Sequence, residues 1–218
     1  SYRQLPANSS MTGSSDTRRF VCVPSTKPDQ TGIAVFHLNA ADLFGNGEVE
    51  SVEITSSTGN SSDITGVIIN VAGVNPVWTS DFDFIDNFKS TSWMQKIVWN
   101  FHEATTFDCR SNTMNGAVLA PLAAVTSSGR FEGSLVCRSL TLRNRCHRIP
   151  FTSQAVASLG LKLGTSGMLF DNVRVQEVTT SSGYFEHAFV RAFSTPDATG
   201  VPVAGDLKAQ QQAQQMQQ

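Results

Sequence analysis

The chain has 218 residues, 40% of them hydrophobic and only 16% charged, with a formal net charge of −2. That is enough apolar material for one sizeable core, while the thin, balanced charge argues against a nucleic-acid surface, which needs clustered Lys and Arg to neutralise phosphates. No apolar run approaches the roughly 20 residues of a membrane helix, and four cysteines without a CxxC or HxxxH pair spell no zinc site.

Residues 1–19 are rich in Ser, Thr and Asn without periodicity and read as an N-terminal arm. A start at Ser1, with no Met and no signal pattern, reads as a mature terminus or the edge of a fragment. Short β-type runs follow, each closed by turn residues. Phe20 to Val23 ends at Pro24, and Ile33 to Leu38 ends at Asn39-Ala40-Ala41-Asp42; Val49, Val52 and Ile54 mark a third run. Val67-Ile68-Ile69-Asn70-Val71, between Gly66 and Gly73, predicts a strand buried on both faces. Asp81 to Ser92 breaks the pattern, with Phe82, Phe84, Ile85 and Phe88 suited to a helical turn or folded loop, before Ile97-Val98-Trp99-Asn100-Phe101 resumes β character.

Asn115 to Ala120 lines up with Glu132 to Cys137 at an offset of about 17 residues, the mark of strand-plus-turn units that bury their faces by stacking. The predicted fold class is therefore all-β: a β-solenoid or β-helix of stacked rungs over 20–154, with antiparallel sandwich hairpins as the competing reading. From Val156 on, the runs Leu159 to Leu163, Met168 to Val178 and Tyr184 to Phe193 predict additional antiparallel strands, a β extension over 155–205. The Gln/Ala stretch at 206–218 reads as a disordered or frayed-helical tail.

Candidate sites are few. Cys22, Cys109, Cys137 and Cys146 allow two disulfides in three pairings. Asn8-Ser9-Ser10 and Asn60-Ser61-Ser62 are sequons for N-linked glycans at Asn8 and Asn60. Together with the low charge they predict a secreted, extracellular glycoprotein. Asp81, Asp83 and Asp86 form an acidic cluster of the oxygen-rich kind that suits Ca2+, although no EF-hand glycine or distal Glu accompanies it and turn capping is the plainer reading. No other cofactor is implied. His37, His102, His147 and His187 are dispersed, and no serine sits in a nucleophile-elbow glycine pattern, so no enzyme is expected. Trp78, Trp93 and Tyr184 are the candidates for stacking on a sugar, against the competing role of aromatics in a core; Trp99 reads as core. A flat ice-binding face would need a regular Thr-x-Thr ladder, which the scattered threonines do not spell. Arg138 to Arg148, the one dense basic stretch, reads as a solvated strand end.

Several blocks in order resemble the choice-of-anchor A domain. Ile33 to Leu43 is similar to that family's strand-and-turn pattern, and Val67 to Gly73 and Ile97 to Thr106 follow at family-like spacing. Asn115 to Pro121, Phe131 to Val136 and the closing His147-Arg148-Ile149-Pro150-Phe151 also match, as does Leu5 to Ser9. The resemblance implies an extracellular module carried on varied cell-surface anchors, with some members similar to wall lectins that bind cellulose or chitin, and no catalytic chemistry. The family's glycine-rich N-terminal half has no counterpart here, which predicts an open sheet edge that another copy, the C-terminal extension or a partner chain must cover. The resulting expectation is a non-enzymatic structural or adhesive subunit of a cell-surface, matrix or filament assembly, homo-oligomeric or polymeric. The alternative is a monomeric polysaccharide-binding module.

Overall fold

A computed structural model describes residues 2–14, 16–79, 82–144, 146–147, 149–162 and 178–180. In chain order the first strands are β1 (Ser10–Gly13), β2 (Thr17–Cys22), β3 (Ile33–Asn39), β4 (Ser51–Ser56), β5 (Gly66–Ala72), β6 (Asp83–Phe84) and β7 (Ile97–Asn100). There follow β8 (Thr106–Asp108), β9 (Met114–Asn115), β10 (Ala117–Ser127), β11 (Phe131–Glu132), β12 (Leu135–Leu142), β13 (Cys146–His147) and β14 (Val178–Thr180). Helices α1 (Ala40–Leu43), α2 (Thr91–Met94) and α3 (Gln154–Lys162) interrupt or follow them.

The strands gather into three unequal sheets. One runs β1-β2-β4-β6, the largest runs β14-β12-β10-β7-β5-β3 with β8 also on β10, and the smallest runs β13-β11-β9. All pairs are parallel except β1 with β2. Parallel strands must be covered on both faces, and β5 shows why its run is almost wholly apolar. Val67, Ile69 and Val71 point into the main core with Trp99, Phe36 and Phe44. Ile68 points the other way, into a second cluster with Ile33, Val35, Val98, Ala117, Leu119, Tyr2, Leu5, Val156 and Leu159. Helix α3 is the lid of that cluster. Ser153 caps it, its Oγ accepting from Val156 N at 3.3 Å and donating to Thr65 O at 2.8 Å.

The main core is aromatic. Trp99 is fully buried among Phe20, Phe44, Phe84 and Phe88, and Phe101 stacks on Phe107 with centroids 4.3 Å apart. Polar residues that fall inside are tied off. Asn70 and Asn100 are neighbours in register, with Asn100 Nδ2 donating to Asn70 Oδ1 at 2.6 Å and Asn70 Nδ2 donating to Tyr2 O at 3.1 Å.

The segment expected to be an arm is folded. Tyr2–Gln4 forms a 3-10 turn whose Tyr2 hydroxyl donates to Val156 O at 3.0 Å, and Asn8 closes the free edge of β3. Asn8 N and Ser9 N donate to Val35 O, while the Asn8 side chain donates to Ile33 O at 2.9 Å and accepts from Val35 N at 2.7 Å. The side-chain amide thus stands in for a strand's peptide group. The open edge predicted from the missing N-terminal half is covered by the chain's own first residues.

The expected all-β stack of rungs is overturned. The sheets are mixed and parallel, of four, seven and three strands, and they do not form a uniform stack. Neighbouring strands lie at irregular sequence distances: Ile33 opposes Gly66 and Val67 opposes Ile97, whereas Val118 opposes Leu135. The last pair is the internal repeat, whose two halves are true neighbours. The long spacings exist because helices and irregular aromatic segments fill the gaps between strands. Residues 154–162, expected to begin antiparallel strands, form α3, because Val156 and Leu159 repeat at helical spacing over an apolar sheet face. Strand β14 pairs with β12 in parallel, not antiparallel; the remaining residues of the expected C-terminal strands lie outside the described ones.

Candidate functional site

The sequence-derived candidates do not meet at one place. Trp78 and Trp93 are 0% and 2% exposed, so neither offers a ring face to a sugar. Trp78 packs on Phe82 at 4.6 Å and on Phe44, and Trp93 lies under the Lys96 ammonium, 4.3 Å from the ring centroid. Both serve the core because their ring area is worth more buried than exposed. Tyr184 and His187 lie outside the described residues, as does Asp81. Asp83 is exposed at the end of the four-stranded sheet and Asp86 starts a 3-10 turn; among the described residues no group of three acidic, His or Cys side chains is placed to hold a metal. Asn60 is exposed and caps the turn Ser61–Asp63 through its side chain, whereas the Asn8 amide is committed to β3. His37 bonds Leu5 O at 2.9 Å and His102 sits 3.7 Å from Glu103, on different strands' ends.

Cys22, Cys109 and Cys137 are buried free thiols, so the expected bridges do not form among these three. Each is packed as a small hydrophobe of the main core on a different strand or turn. Cys146 lies in β13, and its side chain is outside the described residues. Burial pushes the Cys22 and Cys137 thiols up to about 12, and burial followed by the Asp108 carboxylate raises Cys109 well above the ordinary thiol range. Since the thiolate is the reactive form, all three stay protonated and inert near neutral pH. An alkylating reagent is expected to leave them unlabelled in the native protein and to label them on denaturation; rapid native labelling of any of the three would contradict their burial.

One surface stands out by what covers it. The outer face of β3, β5, β7 and the first half of β10 lies under α3 and the N-terminal turn. The outer side of the four-stranded sheet carries the Arg19–Glu53 ion pair and Asp83. The second half of β10 is different. Pro121 has no N–H to give the ladder, and the register to β12 breaks after Ala120 and resumes at Ala124. Past this bend β10 lies between β8 and β12, with Phe107, Val125 and Leu140 turned inward and buried.

The outward residues then fall into rows across the strands. Thr106, Ala124 and Ser139 oppose one another, and Asp108, Thr126 and Thr141 form the next row. Val77 extends that row by a bridge to Asp108. Asn75 Oδ1 accepts from both Thr105 Oγ1 and Thr106 Oγ1, at 2.9 and 3.0 Å, which holds the hydroxyls in place. Val74 and Leu122, 53% and 57% exposed, complete the patch. Strand spacing of about 4.8 Å and an alternate-residue repeat of about 6.6 Å set the pitch of this array of methyl and hydroxyl groups. Asp108 is the one charged member of these two rows, and its Oδ1 is taken by Arg110 N at 2.9 Å; the exposed Arg138 precedes Ser139 on β12. Sequence reasoning missed this face because its threonines are far apart in the chain; only the strand register lines them up.

A family model described as "Putative Ice-binding-like adhesive domain" matches residues 2–148 of the 218. No curated protein and no solved structure matches the chain. The match agrees with the adhesive character implied by the sequence motifs, and it does not name the choice-of-anchor A domain.

Proposed function

Because the chain belongs to the ice-binding-like adhesive domain family, we propose that it is a non-enzymatic adhesive module at a cell surface or in an extracellular matrix, and that the Thr/Ser face over β8, β10 and β12 makes the contact. The observation that carries this reading is the two-row register Thr106–Ala124–Ser139 and Asp108–Thr126–Thr141, in which Thr106, Thr126 and Thr141 are exposed. An ordered array of small side chains loses little conformational freedom on binding and matches a flat, repetitive target. A lectin that stacks sugars on Trp78 and Trp93 is disfavoured by their burial.

Ice is one candidate target, supported by the family's description and by the threonine pair Thr126 and Thr141 in register. Adsorption to growing ice and to cellulose and chitin powders tests both levels of the reading. The wild type should partition into at least one solid, and Thr126→Gln with Thr141→Gln should weaken that retention on the order of tenfold while leaving stability within about 0.5 kcal/mol, as expected for surface positions. Retention of the wild type by cellulose or chitin and not by ice would refute ice as the target. Retention by none of them, or retention indifferent to both glutamines, would refute the face.

A further inference from the structure

The turns that follow β8, β10 and β12 lie against one another along a single edge. Arg110 O accepts from Ser128 N at 2.6 Å and from Gly129 N at 2.8 Å, Arg143 N donates to Ser127 O at 2.9 Å, and Asn144 Nδ2 donates to Ser128 O at 3.1 Å. Three exposed arginines, Arg110, Arg130 and Arg143, are thereby brought onto one edge from separate parts of the chain. Among the described residues their guanidiniums enter no ion pair, the pairs formed there being Arg19–Glu53 and His102–Glu103. The acidic residues flanking these turns, Asp108 and Glu132, are both partly buried, and Asp108 is occupied by the Arg110 backbone. Arg110 moreover holds φ 50, a conformation that a glycine or asparagine adopts more cheaply. A chain of net charge −2 therefore carries a local ridge of uncompensated positive charge.

The chemistry of the ridge selects among polyanions. The backbones of Arg110 and Arg143 are two strand spacings apart, about 10 Å. A nucleic-acid strand presents a charge about every 3.4 Å, far denser than this ridge can match. Single-stranded nucleic acid is also gripped by stacking its bases on aromatic rings, and no aromatic side chain is exposed among the described residues. What the ridge does have beside it is hydroxyl groups: Thr126 and Thr141 are exposed on the strands that lead into the turns. Sparse guanidiniums beside hydroxyls suit a polymer with one anionic group per sugar and neutral hydroxyls between. We propose that Arg110, Arg130 and Arg143 form a binding edge for an acidic polysaccharide, one whose repeating sugars bear carboxylate or sulfate.

Binding of the full chain to immobilised polygalacturonate and dextran sulfate, with neutral dextran, a single-stranded DNA oligonucleotide and phosphatidylglycerol vesicles as comparison arms, tests this. The wild type should bind the two acidic polysaccharides, weaken with added salt, and ignore neutral dextran. The triple variant Arg110→Gln, Arg130→Gln, Arg143→Gln should lose on the order of tenfold in affinity, three exposed charge contacts each contributing a few-fold. A control with the same charge change elsewhere, Arg3→Gln, Lys27→Gln, Lys89→Gln, should bind as the wild type does. Equal loss in both triples, no binding by the wild type, or equal affinity for the DNA or the vesicles would overturn the assignment. The arginine triple leaves the threonine rows in place, so its retention by ice, cellulose and chitin reads the face of the proposed function separately from the ridge.

Discussion

Replacing Trp99 with alanine is expected to cost about 4 kcal/mol or more, enough to unfold much of the population. The indole is fully buried, stacked on Phe88 at 5.9 Å and in contact with Phe20, Phe44 and Phe84. Phe20 and Phe84 sit on strands of the four-stranded sheet, Phe44 at the end of α1 and Phe88 in a 3-10 turn, so no single shift can close the void. The change also strands the Asn115 carbonyl, which accepts from Trp99 Nε1 at 2.9 Å; a buried acceptor without its donor costs about 1–3 kcal/mol. Denaturant unfolding of the wild type, Trp99→Ala and Trp99→Phe separates the two effects, since Phe keeps most of the volume and removes only the donor. A loss below about 1.5 kcal/mol for the alanine variant would mean that the core repacks in a way the aromatic cluster does not suggest.

Gly133→Ala is expected to be comparably severe for a different reason. A Cβ at this position would lie 2.1 Å from Gly116 O and 2.5 Å from Gly116 C, both backbone atoms of the neighbouring strand turn. Gly133 N donates to His147 O on the other side, and Gly116 N donates to Glu132 O, so neither neighbour can retreat without breaking a ladder bond. Loss of several kcal/mol, with spectroscopic signs of rearrangement around β9, β11 and β13, is the expected result. Gly47→Ala is the matched control, because a Cβ there meets nothing within 4 Å. Equal stability of the two variants would show that the close approach of the turns is not a constraint on the fold.

Much of the local structure was legible in the residues. The run Val67 to Val71 announced a strand buried on both sides and is one. Ile33 to Leu38 and Ile97 to Phe101 mark β3 and β7 within a residue, and of the phenylalanines between Asp81 and Ser92 Phe88 belongs to a short 3-10 turn while Phe84 lies in β6. The internal repeat identified Val118 and Leu135 as equivalent, and they are neighbours. The errors share a cause. Regular spacing over one pair of strands suggested a regular stack, but the spacing belongs to that pair alone, and α3 was read as strand because four or five apolar residues in ten fit either period. Trp78 and Trp93 show the same limit: an aromatic in a loop-like stretch looks available until the elements around it are placed.

Which segments extend and which face of each is apolar follow from alternation and turn residues along the chain, while the adhesive reading entered with the ordered motifs that resemble a known family. Only the tertiary structure decided the surfaces. Thr106, Thr126 and Thr141 become rows, and Arg110, Arg130 and Arg143 become a ridge, through the register of parallel strands and the break at Pro121. Register is set by how inward side chains pack and by turns of unequal length, so residues that meet on the outside carry no common period in the sequence.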